Sequence, residues 1–205
     1  MINVVVDLSH FNKVSDFNTV KESGIVGVIH KATQGTNFED SMYKSRKLAA
    51  LAAGLMWGAY HFGVGGDGAA QAEYFLSFVN PGSEDLLVLD FEQNTQGSSM
   101  TIAEAEQFVT EVYNKAGRWP GLYGGSYLKE LLGQSKNPTL ANCWFWLSEY
   151  GSNAVVPPNW PTWTLWQYTD GVHGPEPHSV PGIGNCDRDQ FNGELAQLEK
   201  LWGVG

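Results

Sequence analysis

Two carboxylic acids follow an apolar run near the middle of the chain. Residues 86–89 are Leu-Leu-Val-Leu, and Asp90, Phe91 and Glu92 come directly after them. A short apolar run of this kind is typical of a strand buried on both faces of a parallel sheet. Because side chains alternate along a strand, Asp90 and Glu92 are predicted to share one face at its carboxyl end. Burying two charges there is costly, so the pair indicates a chemical role.

Paired carboxylates suit glycoside hydrolysis, in which one is the general acid and the other is a base, a nucleophile or an electrostatic partner. Burial and mutual repulsion separate their pKa values, so one acid stays protonated near neutral pH. Two other interpretations fit. Asp7 adds a third acid at the end of the first predicted strand, and three acids could bind Mg²⁺ or Ca²⁺. Lys31 could instead form a structural ion pair with the acids. We favour hydrolysis, because no second histidine joins His61 at metal-ligand spacing.

The elements that must position these acids alternate between strand and helix. The apolar patterns predict strands at 3–7, 27–32, 56–62, 86–92, 120–124, 142–148, 162–168 and 187–191, and helices at 16–23, 40–55, 69–79, 101–117, 126–132 and 194–202. Repeated strand–helix units predict a parallel sheet, and the helix-poor end predicts a barrel that begins as a (β/α) barrel and finishes irregularly. The working face of such a barrel lies at the carboxyl ends of its strands. We see no internal repeat or linker, so residues 1–205 are predicted to form one α/β domain.

Composition argues against several kinds of partner. The chain has 12 Lys and Arg against 22 Asp and Glu, a net charge of −10. Nucleic acid is not an expected partner, because its binding needs clustered Lys and Arg. No apolar run reaches the length of a membrane span, and no signal peptide is visible at the N-terminus. Cys143 and Cys186 lack metal-site spacing and predict either one disulfide or two buried thiols.

Several segments, taken together, resemble the glycoside hydrolase family 25 lysozymes, which are N-acetylmuramidases. They occur in the family's order from about residue 4 to residue 193, and they read VVDLSHF, VIHKATQGTNFED, GAYHF, VLDFE, GLYGG, LWQYTDG and CDRDQFNG. Singly, each motif is weakly specific. Their joint order and spacing carry the resemblance over nearly the whole chain.

The resemblance implies a (β/α)5β3 barrel that cleaves the β-1,4 bond between N-acetylmuramic acid and N-acetylglucosamine in peptidoglycan. Retention of configuration, no cofactor or metal, and a monomeric enzyme are expected with it. Glu92 resembles the family's general acid and Asp90 its partner, which either attacks the anomeric carbon or orients the substrate's acetamido group. Asp7 and Asp187 resemble two further active-site acids. The substrate-binding residues expected from the same motifs are Lys31, Tyr60, His61, Tyr123, Trp166, Gln167 and Tyr168.

Physical arguments refine the roles of the acids. The longer side chain of Glu92 reaches further toward a glycosidic oxygen, and an ionised Asp90 beside it would raise its pKa. Near the C-terminus, Cys-Asp-Arg-Asp replaces the family's usual Val-Asp-Leu-Asn. Asp187 aligns best with the family's acid, but strand alternation puts Asp189 on the same face as a rival.

The aromatic residues divide between core and groove. The chain has eight tryptophans, and both sugar-stacking sites and aromatic cores are rich in this residue. Trp57 and Trp144 lie inside predicted strands and are expected in the core. Trp166 and Tyr168 are predicted to share one face of their strand, where they would stack on a pyranose ring.

The remaining alternatives are a wall-binding barrel without turnover, a metal-dependent deacetylase, and a chitin-cleaving enzyme. A catalytic domain without a leader or wall-binding repeats would suit a phage endolysin that is made in the host cytoplasm and released through a separate pore. A secreted bacterial autolysin or effector is the other origin considered.

Overall fold

Strands and helices alternate along the chain, which a computed structural model describes over residues 1–204. The strands are β1 (Ile2–Leu8), β2 (Gly27–Gln34), β3 (Phe38–Glu39), β4 (Met56–Phe62), β5 (Leu86–Asp90), β6 (Gly121–Gly124), β7 (Trp144–Ser148), β8 (Leu165–Thr169), β9 (Ser179–Val180), β10 (Gly184–Asn185) and β11 (Asp187–Phe191). The helices are α1 (Phe17–Glu22), α2 (Tyr43–Ala52), α3 (Gly68–Val79), α4 (Ile102–Ala116), α5 (Ser126–Leu132) and α6 (Leu195–Trp202), with a 3-10 turn at Leu140–Asn142.

Eight of the strands close into a barrel. They pair in the order β1-β11-β8-β7-β6-β5-β4-β2, and β1 also pairs with β2. The pairs are parallel except those of β11, which runs antiparallel to both β1 and β8. Five strand–helix units come first, and the last three barrel strands follow without an α-helix between them over residues 144–191, a stretch described throughout. The predicted (β/α)5β3 barrel is therefore confirmed.

Strand alternation sorts the apolar residues into two cores. One cluster of buried residues, which includes Val5, Ile29 and Val88, fills the interior of the barrel. The other lies between the barrel and its helices, where Leu89 of β5 packs in the same cluster as Phe108 of α4. Successive residues of one strand therefore serve different cores, as a barrel strand covered on both faces requires.

Helix α6 closes the amino-terminal end of the barrel. The side chain of Trp202 is 1% exposed, and its indole Nε1 donates a hydrogen bond to the carbonyl oxygen of Trp57 at 2.9 Å. Space for the indole comes from Gly27 at the start of β2, where a Cβ atom would lie 3.0 Å from the Trp202 ring. The indole of Trp202 therefore packs in the same buried cluster as the residues that fill the barrel interior.

Several element boundaries differ from the sequence prediction. Helix α2 begins at Tyr43 rather than at residue 40, because the side chain of Asp40 accepts hydrogen bonds from the backbone N–H groups of His10 and Met42. Strand β7 begins two residues late, after the 3-10 turn. Strand β5 ends at Asp90, so Glu92 lies just beyond it. The short strands β3, β9 and β10 were not predicted.

The two cysteines are free and buried, which confirms the second of the two alternatives. Burial raises the pKa of each thiol to about 12. Among the helices of residues 1–204, none combines the length and the apolar character that crossing a membrane requires.

We expect Trp202→Ala to lower the free energy of unfolding by about 3–5 kcal/mol, because it empties the base of the barrel. Urea denaturation followed by circular dichroism measures this change. Leu195→Ala on the same helix is the control; its side chain is 44% exposed, and truncation should cost less than about 1 kcal/mol. Equal losses in the two variants would show that α6 does not act through its tryptophan.

Candidate active site

A cleft of about 490 Å³ lies at the carboxyl ends of the seven parallel barrel strands and the amino end of the antiparallel strand β11. Seven of the eight barrel strands supply a lining residue, and the loops after β5 and β7 supply one more each. The lining residues are Asp7, Tyr60, Asp90, Glu92, Tyr123, Trp146, Tyr150, Gln167 and Asp187. Barrel closure thus brings together residues that are up to 180 positions apart, as Asp7 and Asp187 show.

Asp90 and Glu92 both face this cleft, as the alternation of strand β5 predicts. Asp90 is the last residue of β5 and is 6% exposed, whereas Glu92 is only partly buried. Phe91 between them points the opposite way and stacks on Tyr127, with 5.4 Å between the ring centroids. Among the described residues, the Asp90 Oδ1 atom is buried without a hydrogen-bond partner. One oxygen of the Asp90 carboxyl group therefore has no protein donor among these residues.

Burial dominates the electrostatics of the pair. It raises the pKa of Asp90 well above the ordinary value, and the neighbouring charge of Glu92 raises it further. Burial also raises the pKa of Glu92. The Lys31 ammonium acts in the opposite direction and lowers both pKa values. Two acids in such a site share their protons as a unit, so one remains protonated at a pH where isolated carboxyls are ionised.

A hydrogen-bond network centred on Gln167 holds the opposite side of the cleft. Its amide Nε2 donates to Asp7 Oδ2 at 2.7 Å, and its Oε1 accepts from the hydroxyls of Tyr123 at 2.8 Å and Tyr150 at 2.9 Å. These bonds fix the amide orientation, because only the NH₂ group can donate to the carboxylate. Gln167 was predicted to bind substrate, and the structure gives it the additional task of positioning Asp7 and both tyrosines.

The structure separates Asp187 from Asp189 by depth. Asp187 lies opposite Asp7 in the β1–β11 pair and faces the cleft, where burial raises its pKa to about 6. Asp189 shares the same face but is 0% exposed, and its Oδ1 accepts a hydrogen bond from the Trp146 indole Nε1 at 2.7 Å. Burial raises the pKa of Asp189 well above the ordinary value. Only Asp187 is placed to meet a ligand.

Asp7 combines deep burial with three acidic neighbours. Burial raises its pKa most, followed by the charges of Asp187 and Asp189 and, more weakly, that of Asp90. The hydrogen bond from Gln167 opposes this rise. Within residues 1–204, no three His, Cys, Asp or Glu side chains are grouped so that they could hold one metal ion. Asp7 thus belongs to a cluster of acids in which the charges of Asp187, Asp189 and Asp90 raise its pKa.

Lys31 lies beside the cleft rather than in its lining. Its Nζ donates to Gln34 Oε1 at 2.8 Å and lies 4.9 Å from the ring centroid of Phe62 and 5.3 Å from that of Phe38. Burial lowers the pKa of Lys31, whereas the nearby charge of Asp90 raises it. In the part of the chain that the structure describes, the ammonium contacts Gln34 rather than a carboxylate, so Lys31 acts on the acids as a partly buried charge at a distance and does not form the ion pair considered for it.

His61 was predicted to bind substrate, but the structure places it outside the cleft. It is 0% exposed and lies on the outer face of β4, with its Nδ1 2.8 Å from Thr33 Oγ1 and its Nε2 3.2 Å from Gln71 Oε1. Burial lowers its pKa to about 3, so the ring is neutral in ordinary buffers. The neighbouring Tyr60 is the residue of β4 that lines the cleft.

Trp166 and Tyr168 also lie outside the cleft. They share a face of β8 as predicted, but it is the outer face, because Gln167 between them points inward. The Trp166 indole donates to the carbonyl oxygen of Glu149 at 2.7 Å, and the Tyr168 hydroxyl donates to that of Pro177 at 2.9 Å. Alternation predicts which residues share a face but not which face points inward.

Two cleft residues were not predicted from the sequence. Trp146 lies inside an aromatic strand that reads as core, and Tyr150 follows that strand in a loop. Their spacing could have identified both. In an extended chain, positions 144, 146, 148 and 150 lie on one face, so Trp146 and Tyr150 are expected to point the same way.

Comparison with known proteins agrees with this geometry. Residues 6–176 match the model of glycosyl hydrolases family 25. The chain is 32% identical to Lysozyme M1 of Streptomyces globisporus, covering 96% of this chain and 70% of that protein. It is 27% identical to an N,O-diacetylmuramidase of Chalaropsis sp, with 95% and 96% covered.

The fold gives the same result. The crystal structure of the bacterial lysozyme from Streptomyces coelicolor superposes with a TM-score of 0.85 at 30% identity, over 98% of this chain and 97% of that one. An acid-lined cleft at the mouth of the barrel, a family match over most of the sequence and these relatives point the same way: the chain belongs to glycosyl hydrolase family 25 and is a glycoside hydrolase of the lysozyme type.

Proposed function

We propose that the enzyme hydrolyses the β-1,4 bond between N-acetylmuramic acid and N-acetylglucosamine in bacterial peptidoglycan, with net retention at the anomeric carbon. The main support is the placement of Asp90 and Glu92 side by side in one cleft, with an aromatic wall formed by Tyr60, Tyr123 and Trp146. The similar Chalaropsis protein is named an N,O-diacetylmuramidase, which fits a muramic acid sugar in the site.

Glu92 is the general acid in this proposal. Its side chain is only partly buried and reaches the cleft from beyond the end of β5, whereas Asp90 is 6% exposed. Burial raises the pKa of both Asp90 and Glu92, so the pair retains a proton, and in this proposal Glu92 delivers it to the glycosidic oxygen as the bond breaks. After the leaving sugar departs, the same carboxylate accepts a proton from the attacking water.

Asp90 supplies negative charge to the anomeric carbon as positive charge develops there. It does so either by attacking that carbon or by holding the substrate's acetamido group in position to attack it. Asp7 and Asp187 lie across the cleft and add to the negative potential around an oxocarbenium-like transition state.

Mass spectrometry of digested peptidoglycan tests the bond that is cut. We expect N-acetylmuramic acid at the new reducing ends, and proton NMR of the fresh product should show the β anomer first. Reducing ends on N-acetylglucosamine, or an α anomer formed first, would contradict the proposal. Wall binding without release of reducing ends would instead identify a binding barrel, and faster cleavage of chitin would identify a chitinase.

Glu92→Gln is expected to fold normally and to lose about 10²–10⁴-fold in the rate of glycan release, because the amide cannot donate the required proton. Turbidity loss of cell walls and reducing-end release measure the rate. Glu22→Gln, an exposed change at the end of α1, is the matched control and should leave the rate unchanged. Near-full activity in Glu92→Gln would overturn the assignment of the acid.

Activity should decline as the pH rises through the raised pKa of Glu92, because the acid then loses its proton. Lys31→Met removes a charge that lowers the pKa of both Glu92 and Asp90, so the alkaline limb of the kcat/KM profile should move to higher pH. Lys44→Met is the control, since its ammonium lies over Phe78 on α3, remote from the cleft. A limb that stays in place, or moves to lower pH, would contradict the role given to Lys31.

Asp187→Asn and Asp189→Asn should differ. We expect Asp187→Asn to lose at least about 10-fold in rate, because Asp187 faces the substrate. Asp189→Asn should keep most of the activity, because an amide oxygen can still accept the Trp146 hydrogen bond. If Asp189→Asn folds but is inactive, Asp189 acts as an anion and this distinction is wrong.

Asp189→Asn should also change how the free energy of unfolding depends on pH. Since the folded protein raises the pKa of Asp189, this group's stabilising effect is present below about pH 4, its unfolded value, and is lost as the pH rises through the folded value. An asparagine has no proton to lose. We therefore expect Asp189→Asn to become progressively more stable than the wild type as the pH rises above about 4 in urea denaturation.

A further inference from the structure

Phe11 is an exposed aromatic residue in the loop after β1, four residues beyond Asp7. Its side chain is 81% exposed, and it belongs to a row of rings. The ring centroid of Phe11 lies 4.0 Å from that of His10, which lies 5.8 Å from that of Phe38. We call Phe11, His10 and Phe38 the aromatic ridge. An exposed phenylalanine contributes little to the folded core, and a group of neighbouring exposed rings is typical of a binding surface.

The loop that carries Phe11 is held rigidly from below. Arg46 is 7% exposed, and its guanidinium donates to the carbonyl oxygens of Ser9 at 2.7 Å and Asn12 at 2.6 Å. The Asn12 side chain in turn accepts from the Ser9 N–H at 2.8 Å. A buried charge with two carbonyl partners on either side of Phe11 fixes the backbone of the loop.

His10 is anchored by a second buried charge. Asp40 is 2% exposed, and its Oδ2 accepts from the His10 backbone N–H at 2.9 Å and lies 2.8 Å from the His10 ring Nδ1. The ridge is thus preorganised, and a ligand that stacks on it would bind without ordering the loop. Preorganised aromatic rings give contact area at a low entropic cost.

The ridge continues from the cleft. Phe38 lies under the Lys31 ammonium at 5.3 Å, and the charge of that ammonium acts on both Asp90 and Glu92. Phe11 follows β1, which supplies Asp7 to the cleft, and Phe38 lies in β3, which pairs with the end of β2. A glycan strand is longer than the cleft, so sugars flanking the cleaved bond must cross its rim.

From these observations we infer that the aromatic ridge is an additional glycan-binding surface, on which Phe11 and Phe38 stack against a pyranose ring of the strand outside the cleft. The inference rests on the proposed function, because the occupant is a further part of the same glycan. The apolar face of a pyranose suits an exposed aromatic ring such as that of Phe11.

Binding is measured in the Glu92→Gln background, so the test does not depend on turnover. We expect Phe11→Ala and Phe38→Ala each to weaken binding to peptidoglycan glycan strands, freed of stem peptides by an amidase, by about 3–10-fold. Phe11→Trp should bind at least as well as Phe11. Leu48→Ala is the control, because Leu48 is 72% exposed on α2 and lies outside the ridge.

In the active enzyme, Phe11→Ala should raise KM for long strands. It should not change kcat for a short oligosaccharide that occupies only the cleft. Unchanged strand binding in both alanine variants would overturn the inference while leaving the proposed function intact. A loss seen only with stem peptides present would assign the ridge to the peptide instead. Self-association of the wild type that Phe11→Ala abolishes, seen by sedimentation, would assign it to a second copy of the chain.

Discussion

The central physical constraint is the concentration of buried carboxyl groups at one end of a closed barrel. Five carboxyl groups converge there with one partly buried lysine, and burial raises the pKa of each acid. The acids are Asp7, Asp90, Glu92, Asp187 and Asp189. Packing that would serve stability alone has no use for such a cluster, because each buried ionised acid costs several kcal/mol. The rest of the structure positions this cluster. The barrel strands carry the acids, hydrogen-bond donors orient them, and helix α6 closes the opposite end of the barrel.

The cluster is stabilised mainly by neutral donors rather than by cations. Gln167 donates to Asp7, and Trp146 donates to Asp189. Neutral donors orient a carboxyl group without adding positive charge to the cleft, so any acid that is ionised there keeps its effect on a ligand. An ionised acid favours a substrate that becomes cationic at the transition state. Lys31 is the one cation that acts on the catalytic pair in the described part of the chain, and it lies to the side of the cleft.

The sequence predicted the parts of this design that depend on local periodicity. The spacing of Asp90 and Glu92 predicted that they share one face of their strand. The alternation of strands and helices predicted the barrel. Periodicity alone could not orient a strand that has no helix after it. For that reason Trp166 and Tyr168 were predicted to face the sugar, although the outer face of β8 is itself buried. The sequence also could not predict that Asp189 lies deeper than Asp187. Depth along a barrel axis depends on the stagger of strands that are distant in sequence.

The pairing of β1 with β11 has a consequence for how the protein folds. Asp7 lies opposite Asp187, so the first strand of the barrel is held in place by a strand 180 residues further along the chain. Contacts of such sequence separation form slowly, because a loop spanning most of the chain must close before they contribute any stability. Until then β1 has only β2 as a partner and exposes a free edge, which is prone to pairing with other chains. Closure of the barrel, which brings Asp187 to Asp7 in the cleft, therefore depends on a pairing between strands at opposite ends of the described residues.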